Sequence, residues 1–109
     1  MELGLRGKVV MVTGGSRGIG KAIALGYAEE GCRLSICGRG LTALEEVAET
    51  IKAYGVELLT VSADLTDPHG AERFVQATLD RYGQIDVLVN NVGGSRRGEL
   101  EALSEQDWR

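Results

Sequence analysis

The chain has 109 residues, with 12 Lys plus Arg against 16 Asp plus Glu and a net charge of −4. That length allows one domain of ordinary size, and 43% hydrophobic with 26% charged residues is a globular balance rather than a disordered one. The acidic balance argues against nucleic acid, and no apolar run approaches the ~20 residues of a membrane span.

Residues 8–13 (KVVMVT) read as a first strand, apolar and β-branched. Arg6 and Lys8 precede an apolar run too short for a signal peptide. A first helix follows, with Ile19, Ala22, Ile23, Gly26 and Tyr27 at helical spacing and Gly31 as its stop. Residues 33–37 (RLSIC) form a second strand. Thr42-x-x-Glu45 reads as a capping box opening a second helix with Leu44, Val47, Ala48 and Ile51 on one face and Gly55 after its end. Residues 57–62 (ELLTVS) form a third strand. Asp67-Pro68 caps a third helix, whose stripe is Ala71, Phe74, Val75, Thr78, Leu79 and Tyr82, with Gly83 as its stop. His69 is then a solvated first-turn residue. Residues 85–89 (IDVLV) form a fourth strand, and a fourth helix begins near Ser104. Cys32 and Cys37, an odd number of positions apart, fall on opposite faces of a strand; they are expected to be buried free thiols, neither bridged nor metal-binding, in a reducing cytoplasm.

Strand–helix alternation at this spacing implies βαβ units with right-handed crossovers. The predicted fold class is α/β, a doubly wound parallel sheet of the Rossmann type with strand order 3-2-1-4. Residues 1–109 are expected to be the N-terminal part of a dinucleotide-binding domain, truncated after the fourth strand.

Sixteen glycines are about twice the usual ~7%. Their densest cluster follows the first strand: Thr13-Gly14-Gly15-Ser16-Arg17-Gly18-Ile19-Gly20. A pyrophosphate at a helix N-terminus meets free N–H groups and the positive end of the dipole, and side chains would block its approach. Gly14 then makes the turn, Gly18 brings the backbone near the phosphates, and Gly20 lets helix and strand pack closely. Two other matches are set aside. Residues 15–21 satisfy G-x-x-x-x-G-K, but Ala22 stands where a P-loop needs the Mg²⁺-binding hydroxyl. Gly38-Arg39-Gly40-Leu41-Thr42-Ala43 fits G-x-G-x-x-A, yet reads better as the turn closing the second strand.

Residues 13–20 match the TGxxxGxG loop of the short-chain dehydrogenase/reductase family. Asp64-Leu65 resembles its adenine-contacting Asp, Asn90-Asn91-Val92-Gly93 its NNAG motif, and Asp107-Trp108 the opening of its fourth helix. The order and spacing agree along the whole chain, which corresponds to well under half of a family member. Reductases of 3-oxoacyl-carrier protein and tropinone-reductase-like members have similar openings. The resemblance implies that Gly14, Ser16, Arg17, Gly18, Ile19 and Gly20 wrap the cofactor's pyrophosphate and adenosine side. It implies that Asp64 and Leu65 hold adenine, and that Asn90, Asn91, Val92 and Gly93 border the riboses and tie the fourth strand to its neighbour. Val92 replaces the usual Ala.

The family's catalytic Tyr-x-x-x-Lys has no match: Tyr27, Tyr54 and Tyr82 are followed at that spacing by Gly31, Leu58 and Asp86. The region of the family's catalytic Ser is also missing, so the 109 residues alone are expected to be inactive. The end of the second strand selects the cofactor. An acid there would bind a ribose 2′-OH, whereas Arg accommodates a 2′-phosphate. No Asp or Glu occurs from Cys32 to Thr42, and Arg39 stands at the turn. With Arg17, it points to NADP(H) over NAD(H). The expected function is NADP(H)-dependent interconversion of a small carbonyl and alcohol by the complete protein, as a homo-oligomer. The alternative is a non-catalytic dinucleotide-binding module that assembles with another chain.

Overall fold

The computed structural model describes residues 4–14 and 18–91. Seven elements alternate along it: β1 (Val9–Thr13), α1 (Gly18–Glu29), β2 (Arg33–Gly38), α2 (Leu41–Lys52), β3 (Leu58–Ser62), α3 (Pro68–Tyr82) and β4 (Val87–Val89). The four strands form one sheet in the order β3-β2-β1-β4, every pairing parallel. The expected class and strand order are both found. The expected fourth helix near Ser104 lies outside the described residues.

Parallel strands joined by crossover helices are covered on both faces, and β1, VVMVT, is accordingly buried at every position. Alternate residues of each strand feed two cores. Val10, Val12, Leu34 and Ile36 pack with Ala24 and Ala28 of α1 and with Leu44, Val47 and Ile51 of α2. Met11, Cys37, Val61 and Ala63 pack on the other face with Phe74 of α3. Both cysteines are free and buried, Cys32 in the first cluster and Cys37 in the second, as their odd spacing implies.

Three local expectations are corrected. The capping box is not used: α2 begins at Leu41, its cap is Gly40 with no side-chain hydrogen bond, and Thr42 is already inside the first turn. The buried face of α1 is Gly20, Ala24 and Ala28, and Ile19 is 68% exposed. On α3 Phe74 and Thr78 are buried as expected, but Gly70 joins them, while Val75 and Leu79 of the expected stripe are 41% and 38% exposed. At Gly20 and Gly70 a Cβ would collide with backbone that follows the preceding strand, so each helix starts close to the sheet; small residues make the rest of the α1 face, whereas α3 buries Phe74 beyond Gly70. The remaining signals hold. Asp67 accepts a hydrogen bond from His69 N–H at 3.0 Å, Pro68 is the first helical residue, and Gly83 closes α3 at φ 75°.

β4 is shorter than the sequence suggests. The carboxylate of Asp86 accepts from Val9 N–H at 2.8 Å, while Asp86 N–H donates to the Val9 carbonyl at 2.9 Å. A side chain therefore occupies the β1 donor there, and the regular ladder begins only at Val87. The Val9 bond also holds the Asp86 carboxyl below its ordinary range, because it favours the charged form.

Candidate functional site

Because the strands are parallel, their C-terminal ends lie along one edge of the sheet. The chain runs outward from β1 through β2 to β3, then returns to β4 on the other side of β1. That reversal opens a crevice at the β1/β4 ends, the place where open α/β sheets bind ligands.

The crevice is built on close backbone contact. Gly14 ends β1 with φ 64°, and a Cβ there would lie 3.3 Å from the Asn91 carbonyl oxygen. At Gly20 a Cβ would lie 2.1 Å from the Gly14 carbonyl oxygen and 2.9 Å from Asn91 Nδ2. Gly14, Gly20 and Asn91 thus occupy one tightly shared space, which closes the turn beneath the first turn of α1. Gly18 differs: its φ is 47°, it is exposed, and a Cβ there would meet nothing within 4 Å. The requirement at Gly18 is backbone conformation. Ile19, the next residue, is also exposed.

Thr13 joins the two sides of the crevice. Its hydroxyl accepts from Asn91 N–H at 2.5 Å and faces two acceptors, Asn90 Oδ1 at 3.1 Å and the Val89 carbonyl at 3.3 Å. Both asparagines are therefore held by a residue of β1, at a point where the β1–β4 ladder has ended at the Val12–Val89 pair.

Further along the edge, Arg39 is exposed just beyond Gly38, the last residue of β2. The Ser62 hydroxyl donates to the Arg39 carbonyl at 3.3 Å, and Arg73 on α3 donates to the Ser62 carbonyl at 2.6 Å. Asp64 follows β3. Its Oδ1 accepts from Thr66 Oγ1 at 2.6 Å and from Thr66 N–H at 2.9 Å. These bonds, the hydroxyl first, hold the Asp64 carboxyl below its ordinary range, with a smaller contribution from the Arg39 guanidinium. The Asp64 main chain is also fixed. Its carbonyl accepts from Asp67 N–H at 3.1 Å, and Gly70 lies so near that a Cβ would be 2.2 Å from that oxygen. Leu65 is half-buried and packs against the α3-side core.

Of the site residues expected from sequence, Gly14, Gly18, Ile19, Gly20, Arg39, Asp64, Leu65, Asn90 and Asn91 lie along this one edge. Ser16, Arg17, Val92 and Gly93 lie outside the described residues. Sequence reasoning missed the supporting residues Thr66, Ser62 and Arg73 and the near contact at Gly70. Only Thr66 carried a legible signal, because Asp-x-Thr is a spacing at which a carboxylate captures the amide two residues on. No group of three metal-ligating side chains occurs among the described residues, and no described helix is long and apolar enough to cross a membrane.

Comparison with known proteins bears on the family and the fold. The short chain dehydrogenase family model matches residues 8–109. A rhamnolipid-biosynthesis 3-oxoacyl-[acyl-carrier-protein] reductase from Pseudomonas aeruginosa is 41% identical over 104 residues, 95% of this chain and 40% of that protein. Among solved structures, L-sorbose reductase from Gluconobacter frateurii, complexed with NADPH and L-sorbose, superposes with TM-score 0.82 at 39% identity, over 85% of this chain and 36% of that one. A short-chain dehydrogenase/reductase from Burkholderia phymatum in complex with NAD superposes with TM-score 0.74 at 28% identity, over 77% of this chain and 30% of that one. The chain spans about 40% of the length of the curated relatives it matches.

Proposed function

The chain belongs to the short-chain dehydrogenase family, and from that premise we propose that it is the cofactor-binding part of an NADP(H)-dependent oxidoreductase interconverting a small carbonyl compound and its alcohol. The observation that carries the choice of cofactor is at the end of β2. Arg39 is exposed there, and no carboxylate occurs from Cys32 to Thr42 to bind a ribose 2′-OH. A guanidinium forms forked, charge-assisted hydrogen bonds with a phosphate dianion.

Gly14, Ser16, Arg17, Gly18, Ile19 and Gly20 hold the pyrophosphate at the N-terminus of α1. Arg39 takes the 2′-phosphate, Asp64 and Leu65 the adenine, and Asn90, Asn91, Val92 and Gly93 the ribose side. The bound nicotinamide supplies or accepts the hydride. A single effective charged contact contributes ~1.5–3 kcal/mol, roughly tenfold or more in affinity. Titration of NADPH and NADH into the chain should therefore show NADPH bound more tightly, with Arg39→Ala losing most of that difference and leaving NADH unchanged. Equal affinities, or an Arg39→Ala variant with unaltered preference, would refute the assignment.

A second reading has its own support. Proton donation to a developing alkoxide needs an acid placed beside it, and no Tyr-x-x-x-Lys occurs in these 109 residues. On this reading the chain binds dinucleotide without reducing carbonyls and assembles with another chain. NADPH oxidation with a panel of ketones and 3-oxoacyl thioesters separates the two, since turnover that survives repurification excludes the second. Self-association as a homo-oligomer is supported by Val75 and Leu79, 41% and 38% exposed on α3; light scattering reads it directly. The free thiols fit a reducing, cytoplasmic setting.

A further inference from the structure

Asp64 is held at both its main chain and its side chain. Its backbone carbonyl is bonded by Asp67 N–H and crowded by Gly70, so the residue cannot slide along the loop. Its side chain is fixed through one oxygen only: both hydrogen bonds from Thr66 arrive at Oδ1. A carboxylate has about four lone-pair sites on two oxygens and is an acceptor only when ionised. With Oδ1 committed to Thr66, Oδ2 is the oxygen that remains at the strand end.

From this we infer that Thr66 is a positioning residue for base selection, orienting Asp64 so that Oδ2 accepts from an exocyclic amine and rejects a ring carbonyl at the same place. The inference rests on the reading that Asp64 faces the purine of the dinucleotide. Adenine presents a 6-amino donor to such an oxygen; hypoxanthine presents a 6-oxo acceptor and meets an anion with a lone pair. A site built to hydrogen-bond an N–H discriminates strongly against an analogue lacking it, because its own polar group is left unpaired. The discrimination depends on orientation. A carboxylate free to rotate exposes either oxygen and lets solvent between, whereas one pinned at Oδ1 presents a single acceptor in a fixed direction. The Thr66 bonds also shift protonation of the group to lower pH, and a protonated carboxyl would offer a donor to the 6-oxo group.

The test uses NADPH and its 6-oxo counterpart, reduced nicotinamide hypoxanthine dinucleotide phosphate. Each is titrated into the chain and followed by nicotinamide fluorescence. The chain should prefer the adenine form by about tenfold or more, the value of one charge-assisted bond. Thr66→Val removes the hydroxyl at an exposed position, and the preference should fall at least roughly threefold, with the Asp64 carboxyl titrating at higher pH by carbon NMR. Thr66→Ser keeps the hydroxyl and should keep both properties, which a merely structural requirement for the Thr methyl would not. A preference in Thr66→Val equal to that of the unsubstituted chain overturns the inference. Asp64→Asn tests the reading beneath it. An amide can turn its N–H₂ toward the 6-oxo group, so the preference should collapse or invert. If Asp64→Asn leaves the preference intact, Asp64 does not face the base, and both fall. If Asp64→Asn changes it and Thr66→Val does not, only the role of Thr66 falls.

Discussion

Replacing Gly20 and Gly26 by alanine, both within α1, should change stability in opposite directions. At Gly20 the new methyl would lie 2.1 Å from the Gly14 carbonyl oxygen, 2.8 Å from the Gly14 carbonyl carbon and 2.9 Å from Asn91 Nδ2. Ordinary contact begins at 3.4 Å, so the first turn of α1 must retreat by more than an ångström, or Gly14 and Asn91 must move. Two of the three obstructing atoms are backbone, which has no rotamer to change. Overpacking of this kind costs about 1–3 kcal/mol. The intrinsic helix preference for alanine returns at most ~1 kcal/mol. At Gly26 a Cβ meets nothing within 4 Å, so the same preference acts unopposed and Gly26→Ala should stabilise by about 0.5–1 kcal/mol. Urea unfolding followed by far-UV circular dichroism measures both. The Gly20 variant should also bind NADPH more weakly, because the displaced Gly14 and Asn91 line the crevice. A Gly20→Ala variant as stable as the unsubstituted chain, or two variants shifting in the same direction, would show that α1 does not lie against β1 as described.

Two further outcomes follow from the core. Ser35 and Thr78 share a buried hydrogen bond of 2.7 Å between β2 and α3. Thr78→Val leaves the Ser35 hydroxyl unpaired and should cost about 1–3 kcal/mol, whereas adding Ser35→Ala should recover most of it, since a pair replaced at both ends leaves nothing unsatisfied; additive losses in the double-mutant cycle would contradict this. Burial pushes the Cys37 thiol up to about 11 from an ordinary value near 9. The unfolded thiol ionises first, so this contribution to stability is complete below pH 9 and is lost as the pH rises toward 11. Urea midpoints between pH 8 and 11 should fall less steeply for Cys37→Ala than for the unsubstituted chain, and parallel slopes would exclude Cys37 as a source of the alkaline loss.

The sequence determined the element order and the sheet. Short, mostly apolar β-branched runs, separated by helical periods and closed by Gly31, Gly55 and Gly83, leave little choice but parallel strands with crossover helices, and the glycine run before Ile19 marks which connection opens the crevice. Asp67-Pro68 was equally legible, because capping and proline geometry act within a few residues. What sequence misjudged depended on distances between elements. Helical spacing in α1 and α3 favoured the large residues Ile19, Val75 and Leu79 for the core. The tertiary structure buries Gly20, Ala24 and Gly70 instead, alongside the expected Phe74 and Thr78, because each helix starts almost in contact with the strand end before it. Thr42 had the spacing of a cap, but the turn after Gly38 is short enough to start α2 two residues earlier, with Gly40 as the cap. The hydroxyl of Thr13 between β1 and Asn91, the Asp86 carboxylate at the start of β4, and the line from Arg73 through Ser62 to Arg39 join residues 11 to 78 positions apart. A side-chain bond across such separations has no local signature, because the partners meet only after the sheet has set its register. Sequence therefore identified most of the groups at the crevice, and the fold alone decided what holds them there.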